Sequence, residues 1–150
     1  MISEHLNLGV WSSKRDNGNG NSLTRFIPTE LGFLSSLTFF FLGIYHLNGS
    51  LSTEIGLLKN LNYLDSLFNT FTGTIPTEIG KLTSLNHLIA YNNKITGPLP
   101  TEIGLLTGLY NLDLEQNEFT GTIHTKIGNL TGRSLLSIFV IQYFHRSNSH

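Results

Sequence analysis

Asp65 and Asp113 are the two carboxylates whose type and spacing could support acid–base chemistry in this 150-residue sequence. On parallel strands separated by one intervening strand they would stand about 10 Å apart, which approaches the upper limit for an inverting glycosidase. The equivalent position between them is Ile89, and we expect both carboxylates to be solvated on an open surface. Nothing there is expected to raise the pKa of either group and make it a general acid. We therefore predict that the chain is not an enzyme, with a hydrolase using Asp65 and Asp113 as a remote alternative.

Other catalytic and metal-binding chemistry has even less support. The chain has no cysteine, which excludes disulfides, thiolate zinc sites, iron–sulfur clusters and a cysteine nucleophile. It contains no G-x-S-x-G motif, and Gly18-x-Gly20 lacks the third glycine of a dinucleotide site. The six histidines show no H-x-x-x-H or H-E-x-x-H spacing. We predict no metal and no cofactor.

The charge balance argues against a nucleic-acid partner. The chain has nine Lys and Arg residues and ten Asp and Glu residues, so its formal net charge is -1. The basic residues are spread along the whole chain. Binding to nucleic acid or to an anionic membrane surface depends on concentrated Lys and Arg. We therefore predict no nucleic-acid partner.

An internal repeat of 24 residues positions the side chains that could take part in binding or catalysis. Glycines recur at this interval at Gly49, Gly73, Gly97 and Gly121. Copies of a second motif, I-P-T-E-I-G in one of its best-formed versions, keep the same register at residues 27–32, 51–56, 75–80, 99–104 and 123–128. A fixed period of this length predicts a solenoid of stacked units.

Each unit also carries a fixed apolar pattern. The pattern has a period of two around Leu112-x-Leu114, as a short strand requires, and is irregular elsewhere, as a turning coil requires. The skeleton L-x-x-L-x-L-x-x-N-x-L, followed by T-G-x-I-P-x-x-I-G, resembles the leucine-rich repeat in its plant-type 24-residue form. That form occurs in receptor-like proteins and receptor kinases. The resemblance covers about residues 21–145.

The resemblance implies an α/β-type repeat solenoid. This is a leucine-rich-repeat horseshoe with a parallel β-sheet on its concave face and irregular or 3-10 coil on its convex face. One coil cannot bury its own leucines, so stacked coils must share a continuous core. Asn69, Asn93 and Asn117 recur where the chain turns away from the sheet. We expect them to form a ladder of buried amides that satisfies backbone groups left unpaired by the turn.

The two ends depart from the repeat. We predict a degenerate or disordered N-terminal segment over 1–20, a solenoid of about five repeats over 21–145, best formed over 58–129, and a tail over 146–150. Ser52 and His124 replace the proline of the motif. Members of the resembled family usually carry cysteine-paired caps, and this chain has none. We therefore expect uncapped ends that favour partner contact or aggregation.

No export or membrane signal is recognisable in the sequence. The uncharged stretch between Glu30 and Glu54 fits the repeat register, and its strongly apolar part is shorter than the ~20 residues needed to span a bilayer. Residues 1–20 lack the basic and apolar regions of a secretory signal. The resemblance implies an extracellular or membrane-associated location, reached through a partner or a segment outside the chain. Asn48 and Asn129 begin candidate glycosylation sequons, which we interpret as chance matches in a repeat rich in Asn and Thr.

The concave sheet is the predicted binding site. Its outward positions combine aromatic, amide and carboxylate side chains and carry no Lys or Arg, which suits recognition by rigid contact area and adaptable hydrogen bonding. The predicted binding residues are Asn62, Tyr63, Asp65, Asn86, His87, Ile89, Tyr91, Asn92, Tyr110, Asn111, Asp113, Glu115 and Gln116, with Leu67 and Phe68 in the same frame.

Two function classes follow from this reading. The resemblance implies a non-catalytic binding module that recognises a protein, peptide or glycan, as in a fragment of a receptor-like protein. The acidic bias of the concave positions favours a partner with basic or hydrogen-bond-donating groups. The alternative is an intracellular scaffold or assembly protein whose uncapped ends stack on other coils.

Overall fold

The computed structural model describes residues 5–7, 29–43, 47–122, 124, 125 and 130. The predictions for Asn129, for residues 131–145 and for the tail over 146–150 lie outside these residues. The strands are β1 (His5–Asn7), β2 (Phe39–Phe41), β3 (Asn48–Gly49), β4 (Tyr63–Asp65), β5 (Thr70–Phe71), β6 (His87–Ile89), β7 (Thr96–Gly97), β8 (Asn111–Asp113) and β9 (Glu118–Phe119). The 3-10 helices are η1 (Thr29–Phe33), η2 (Thr53–Leu57), η3 (Thr77–Lys81) and η4 (Thr101–Leu105). None of the helices in the described ranges is long and apolar enough to cross a membrane.

A parallel sheet forms one face of the described structure. Its strands lie in the order β1-β2-β4-β6-β8. Tyr63 pairs with His87 and His87 pairs with Asn111, so neighbouring strands from β4 to β8 are offset by one 24-residue repeat. The opposite side carries the four 3-10 helices, each packed on the next in chain order. The predicted architecture, a parallel sheet opposite a face of 3-10 turns, is confirmed.

The first strand lies within the predicted N-terminal segment over 1–20. His5–Asn7 forms β1 and pairs with β2 through Leu6 and Phe40. Of the two alternatives, a degenerate coil fits these three residues, and the prediction for 1–4 and 8–20 lies outside the described residues. The repeat pattern could not reveal β1, because more than one repeat length of sequence separates it from β2.

The 3-10 helices begin at residues whose backbone is already extended. Pro76 and Pro100 precede η3 and η4 with φ values of -68° and -64°, which the proline ring fixes. Ser52 takes this position before η2, and its hydroxyl accepts a hydrogen bond from the Glu54 N–H at 3.3 Å. A side-chain cap thus replaces the fixed φ of proline in that coil.

The core lies between the sheet and the 3-10 helices. The strand-side leucines of three successive coils are at most 1% exposed, and they are Leu61, Leu64, Leu85, Leu88, Leu109 and Leu112. Full burial of each leucine side chain contributes about 2 kcal/mol relative to exposure. Phe40 occupies the equivalent position in β2 and is fully buried. The core is therefore continuous from coil to coil.

Asparagine amides connect each coil to the one before it. The Asn93 amide donates to the Ser66 carbonyl of the preceding coil at 2.9 Å and accepts from the Phe71 N–H at 3.0 Å. It also donates to two carbonyls of its own coil. Asn69 and Asn117 make the same four kinds of bond. An apolar residue of the same size would leave these backbone groups unpaired.

Candidate functional site

Equivalent residues of successive coils lie side by side on the concave face. Side chains alternate along a strand, so the middle residue of β4, β6 and β8 enters the core and its two neighbours do not. We name residues 61–69, 85–93 and 109–117 the β4, β6 and β8 coils. Across the sheet, one column holds Phe39, Tyr63, His87 and Asn111, and a second holds Phe41, Asp65, Ile89 and Asp113. The residues predicted for the binding face lie in these three coils.

Four rings form a continuous row across the sheet, which we name the aromatic row. Phe39 and Tyr63 are stacked, with ring centroids 4.4 Å apart and planes at 9°. His87 follows at 5.2 Å from Tyr63. Tyr110 lies one residue before β8 and its ring approaches His87 at 5.6 Å. His87 is therefore one member of an aromatic surface.

Asp65 is held by hydrogen bonds within its own coil. One carboxylate oxygen accepts the Leu67 N–H at 3.0 Å, and the other accepts the Tyr63 hydroxyl at 3.2 Å. Burial raises the pKa of Asp65, the two hydrogen bonds partly oppose that shift, and the charge of Asp113 adds a smaller upward effect. Burial and the Asp65 charge also raise the pKa of Tyr63, so the hydroxyl stays protonated as the donor.

The environment of Asp65 corrects one expectation from the sequence. This side chain is 3% exposed, whereas we expected a solvated carboxylate without a raised pKa. Its register neighbours on either side are Phe41 and Ile89, which offer no polar group to replace water. Asp113 is half-buried, and its carboxylate accepts the Glu115 N–H at 3.2 Å. Both aspartates therefore support the turn that follows their strand, and Asp65 has little access to a substrate.

A second aromatic pair lies just beyond the strands. Phe68, Asn92 and Gln116 occupy equivalent positions and have positive φ values of 50°, 56° and 55°. Asparagine adopts this left-handed conformation readily, whereas a bulky residue is strained there. Phe68 is nevertheless 46% exposed, and its ring meets Tyr91 edge-on at 5.3 Å. Phe68 therefore combines a strained backbone conformation with a phenyl ring that is partly exposed to solvent.

Sequence reasoning missed part of this surface. Phe39 and Phe41 were not among the predicted binding residues, although they extend the columns of Tyr63 and Asp65 by one coil. Their spacing of 24 residues from those two positions was the available signal.

Two other candidate sites receive limited support from the described residues. No group of three or more His, Asp or Glu residues in the described ranges could hold a metal ion. Asn48, the first residue of one sequon, lies in β3 with its side chain half-buried. Its amide oxygen is buried and has no hydrogen-bond partner among the residues that the structure describes.

Comparison with known proteins agrees with the repeat geometry. The Leucine Rich Repeat family profile matches residues 84–106, which include β6 and η4. No curated protein sequence matches the chain. The fold and the repeat together define a solenoid with an open concave sheet. The chain carries leucine-rich repeats of the plant type and is similar to the ectodomain repeats of a plant receptor kinase.

Solved structures supply that similarity. The ectodomain of the Arabidopsis thaliana receptor kinase GASSHO1/SCHENGEN3, solved with CASPARIAN STRIP INTEGRITY FACTOR 2, is 44% identical with a TM-score of 0.68, over 69% of this chain and 13% of that one. The Arabidopsis receptor kinase HAESA, solved with the peptide hormone IDA and the co-receptor SERK1, is 34% identical with a TM-score of 0.69, over 73% and 18%. A plant ice-binding protein is 35% identical with a TM-score of 0.65, over 71% and 34%. The chain thus spans less than a fifth of the two receptor kinase structures.

Proposed function

We propose that the chain is a non-catalytic binding module that recognises a protein or peptide on its concave face. The similar receptor kinase ectodomains were solved with a peptide hormone or a named factor bound, which supports this class of ligand. The presence of an ice-binding protein with the same fold means that fold alone does not choose the ligand. The side chains of the concave face must therefore select the ligand.

The aromatic row is the main observation that supports a protein or peptide ligand. Rigid rings supply contact area at low cost in side-chain entropy, and the amides beside them supply adaptable hydrogen bonds. Asn92 donates to the Gln116 side chain at 2.8 Å, so these amides are also ordered across neighbouring coils. Phe68 adds an aromatic ring in a strained backbone conformation, and such strain concentrates at functional positions. These features together fit a recognition surface.

Selection of displayed peptides tests the proposal. The folded chain is presented to a random library of 12-residue peptides, and the enriched peptides are titrated against two double variants by fluorescence anisotropy. Tyr91→Ala with Tyr110→Ala should weaken binding at least tenfold, because it removes rings from the concave face. The matched control is Leu57→Ala with Leu105→Ala, which removes two exposed side chains of the 3-10 face, 51% and 60% exposed. Equal binding by both double variants would contradict the concave site and favour the scaffold alternative.

A further inference from the structure

The concave face changes character along the axis of the solenoid. At the β2 and β4 side, its positions are occupied mainly by aromatic and aliphatic side chains, and we name this the apolar end: Phe39, Phe41, Tyr63, Leu67 and Phe68. At the β8 side the equivalent positions are polar or acidic, and we name this the acidic end: Asn111, Asp113, Glu115 and Gln116. At three equivalent positions the β4 coil has an apolar or aromatic residue and the β8 coil has a polar one. Tyr63, Leu67 and Phe68 are matched by Asn111, Glu115 and Gln116, respectively.

The apolar end offers contact area that is partly open to solvent. Phe68 is 46% exposed, and Leu67 is half-buried beside it. The carboxylate at this end, Asp65, is 3% exposed and already accepts two hydrogen bonds. A ligand at this end therefore meets apolar surface rather than an available charge.

The acidic end offers negative charge without a counter-charge nearby in sequence. Asp113 and Glu115 lie two residues apart and both are only half-buried. The β4, β6 and β8 coils contain no Lys or Arg. The two carboxylates repel each other because they are two residues apart on one strand end, and a cation placed between them would lower the electrostatic energy of both. The local charge thus favours a basic group in the ligand.

From this polarity we propose that the concave face binds an extended polypeptide segment that carries an apolar residue for the apolar end and a Lys or Arg for the acidic end. This rests on the proposed function and specifies its ligand. β4 and β8 are separated by two strand spacings, about 10 Å. An extended chain advances about 3.3 Å per residue, so the apolar and the basic residue should stand about three positions apart.

The aromatic row favours a peptide over a glycan. A sugar ring packs on the exposed face of an aromatic ring. Phe39 and Tyr63 stack at 4.4 Å with nearly parallel planes, so each covers a face of the other. His87 lies on the other side of Tyr63 at 5.2 Å, and the Tyr63 hydroxyl is already hydrogen-bonded to Asp65. Apolar side chains of a peptide can pack against the ring edges that remain.

The peptide library described above provides the first test. The peptides use blocked termini, so that terminal charges do not contribute. Enriched sequences should contain a Phe, Leu, Ile or Tyr about three positions from a Lys or Arg. A consensus peptide is then synthesised with three single changes, which replace the basic residue by Gln, the basic residue by Glu, or the apolar residue by Ser. Replacement by Gln should weaken binding to the native chain about fivefold, and replacement by Glu or by Ser should weaken it about tenfold or more.

Variants of the protein assign each half of the peptide to one end. Asp113→Asn with Glu115→Gln should abolish the preference for the basic residue over Gln and leave the loss on Ser replacement unchanged. The matched control, Glu78→Gln with Glu102→Gln, removes the same charge from η3 and η4 and should retain the preference. Phe68→Asn introduces the residue that stands at the equivalent position 92, so the left-handed backbone conformation is favourable. This variant should reduce the loss of affinity that follows when the apolar residue of the peptide is replaced by Ser. Thermal melts establish that each variant is folded.

The outcomes separate this inference from the proposed function. Enriched peptides that depend on Tyr91 and Tyr110, but whose preference for Lys or Arg survives the Asp113 and Glu115 changes, overturn the inference and leave the proposed function standing. Peptides unaffected by the tyrosine changes overturn the proposed function itself. Competition by a neutral hexasaccharide, cellohexaose, that is lost with Tyr91→Ala and Tyr110→Ala would overturn the assignment to a polypeptide.

Discussion

The β4 coil and the β8 coil follow one template and present different surfaces. Their core leucines are equally buried, at most 1% exposed, and Asn69 and Asn117 make the same hydrogen bonds. Three outward positions diverge, because Tyr63, Leu67 and Phe68 of the β4 coil are matched by Asn111, Glu115 and Gln116 of the β8 coil. At a fourth position the change is reversed, since Asn62 is matched by the exposed Tyr110. The template positions therefore build the solenoid, and the positions between them are free to specialise in recognition.

Asp65 and Asp113 are the same residue at the same repeat position, yet they differ in hydrogen bonding and in exposure to solvent. Each accepts the N–H of the residue two positions later, at 3.0 Å for Asp65 and 3.2 Å for Asp113. Only Asp65 also accepts a tyrosine hydroxyl, and it is 3% exposed while Asp113 is half-buried. The repeat thus determines the backbone bond, whereas neighbours in other coils determine access to solvent.

The largest expected loss of stability concerns the asparagine ladder. Asn69→Ala should lower the free energy of unfolding by about 4 kcal/mol, because it leaves several buried backbone groups unpaired at about 1–3 kcal/mol each. Asn117→Ala removes the same bonds, but Asn117 is half-buried and Asn69 is buried. Water can replace part of the loss there, so about 2 kcal/mol is expected. Chemical denaturation followed by circular dichroism measures both, and equal losses would contradict the role of burial.

At one core position, substitution by alanine should cost more stability in the β8 coil than in the β4 coil. Leu114 is 2% exposed, and Leu114→Ala should cost about 3 kcal/mol through lost burial and the cavity left behind. Ser66 takes the equivalent position and is 1% exposed. Its hydroxyl donates to the Ile89 carbonyl, which also accepts the Ser66 N–H. Ser66→Ala should therefore cost less than about 1 kcal/mol, and a cost equal to that of Leu114→Ala would show that the hydroxyl is essential to the coil.

The repeat positions explain why the fold could be predicted and the details of the site could not. Leucines, asparagines and glycines at fixed intervals specify a stacked coil whatever lies between them, and the solenoid is confirmed. The burial of Asp65 depends on Phe41 and Ile89, which come from two other coils, and on a contact with Tyr63. No pattern within one repeat contains that information. The assignment of the concave residues to ligand binding stays a prediction.

The ionisation of Asp65 gives a smaller effect that depends on pH. Its pKa is raised above the ordinary 3.8 in the folded chain, mainly by burial, so folding favours the protonated form. The stabilisation from this group is present below pH 3.8 and is lost as pH rises through the raised pKa. Asp65→Asn keeps an oxygen for the Leu67 N–H and carries no charge. Its stability relative to the native chain should therefore increase with pH over that window.

Denaturation of both proteins at several pH values measures that difference. Ser66→Ala serves as a control in the same coil, since it removes no titratable group. A constant difference between Asp65→Asn and the native chain across the window would show that burial does not penalise this carboxylate. The two coils would then differ in packing and not in the electrostatics of their aspartates.

A small change in stability is expected at Phe68, an exposed ring of the apolar end. Phe68→Asn relieves about 1 kcal/mol of left-handed strain, but it loses an edge-on contact with Tyr91 of similar size and the burial of about half of the ring, also about 1 kcal/mol. The unfolding free energy should therefore fall by no more than about 1 kcal/mol, although a large aromatic side chain is removed. Gln116→Asn in the β8 coil, with a φ of 55°, should be nearly neutral and is the matched control. A loss of 2 kcal/mol or more for Phe68→Asn would mean that the ring is held for packing, because a ring kept for binding is replaceable without cost to the fold.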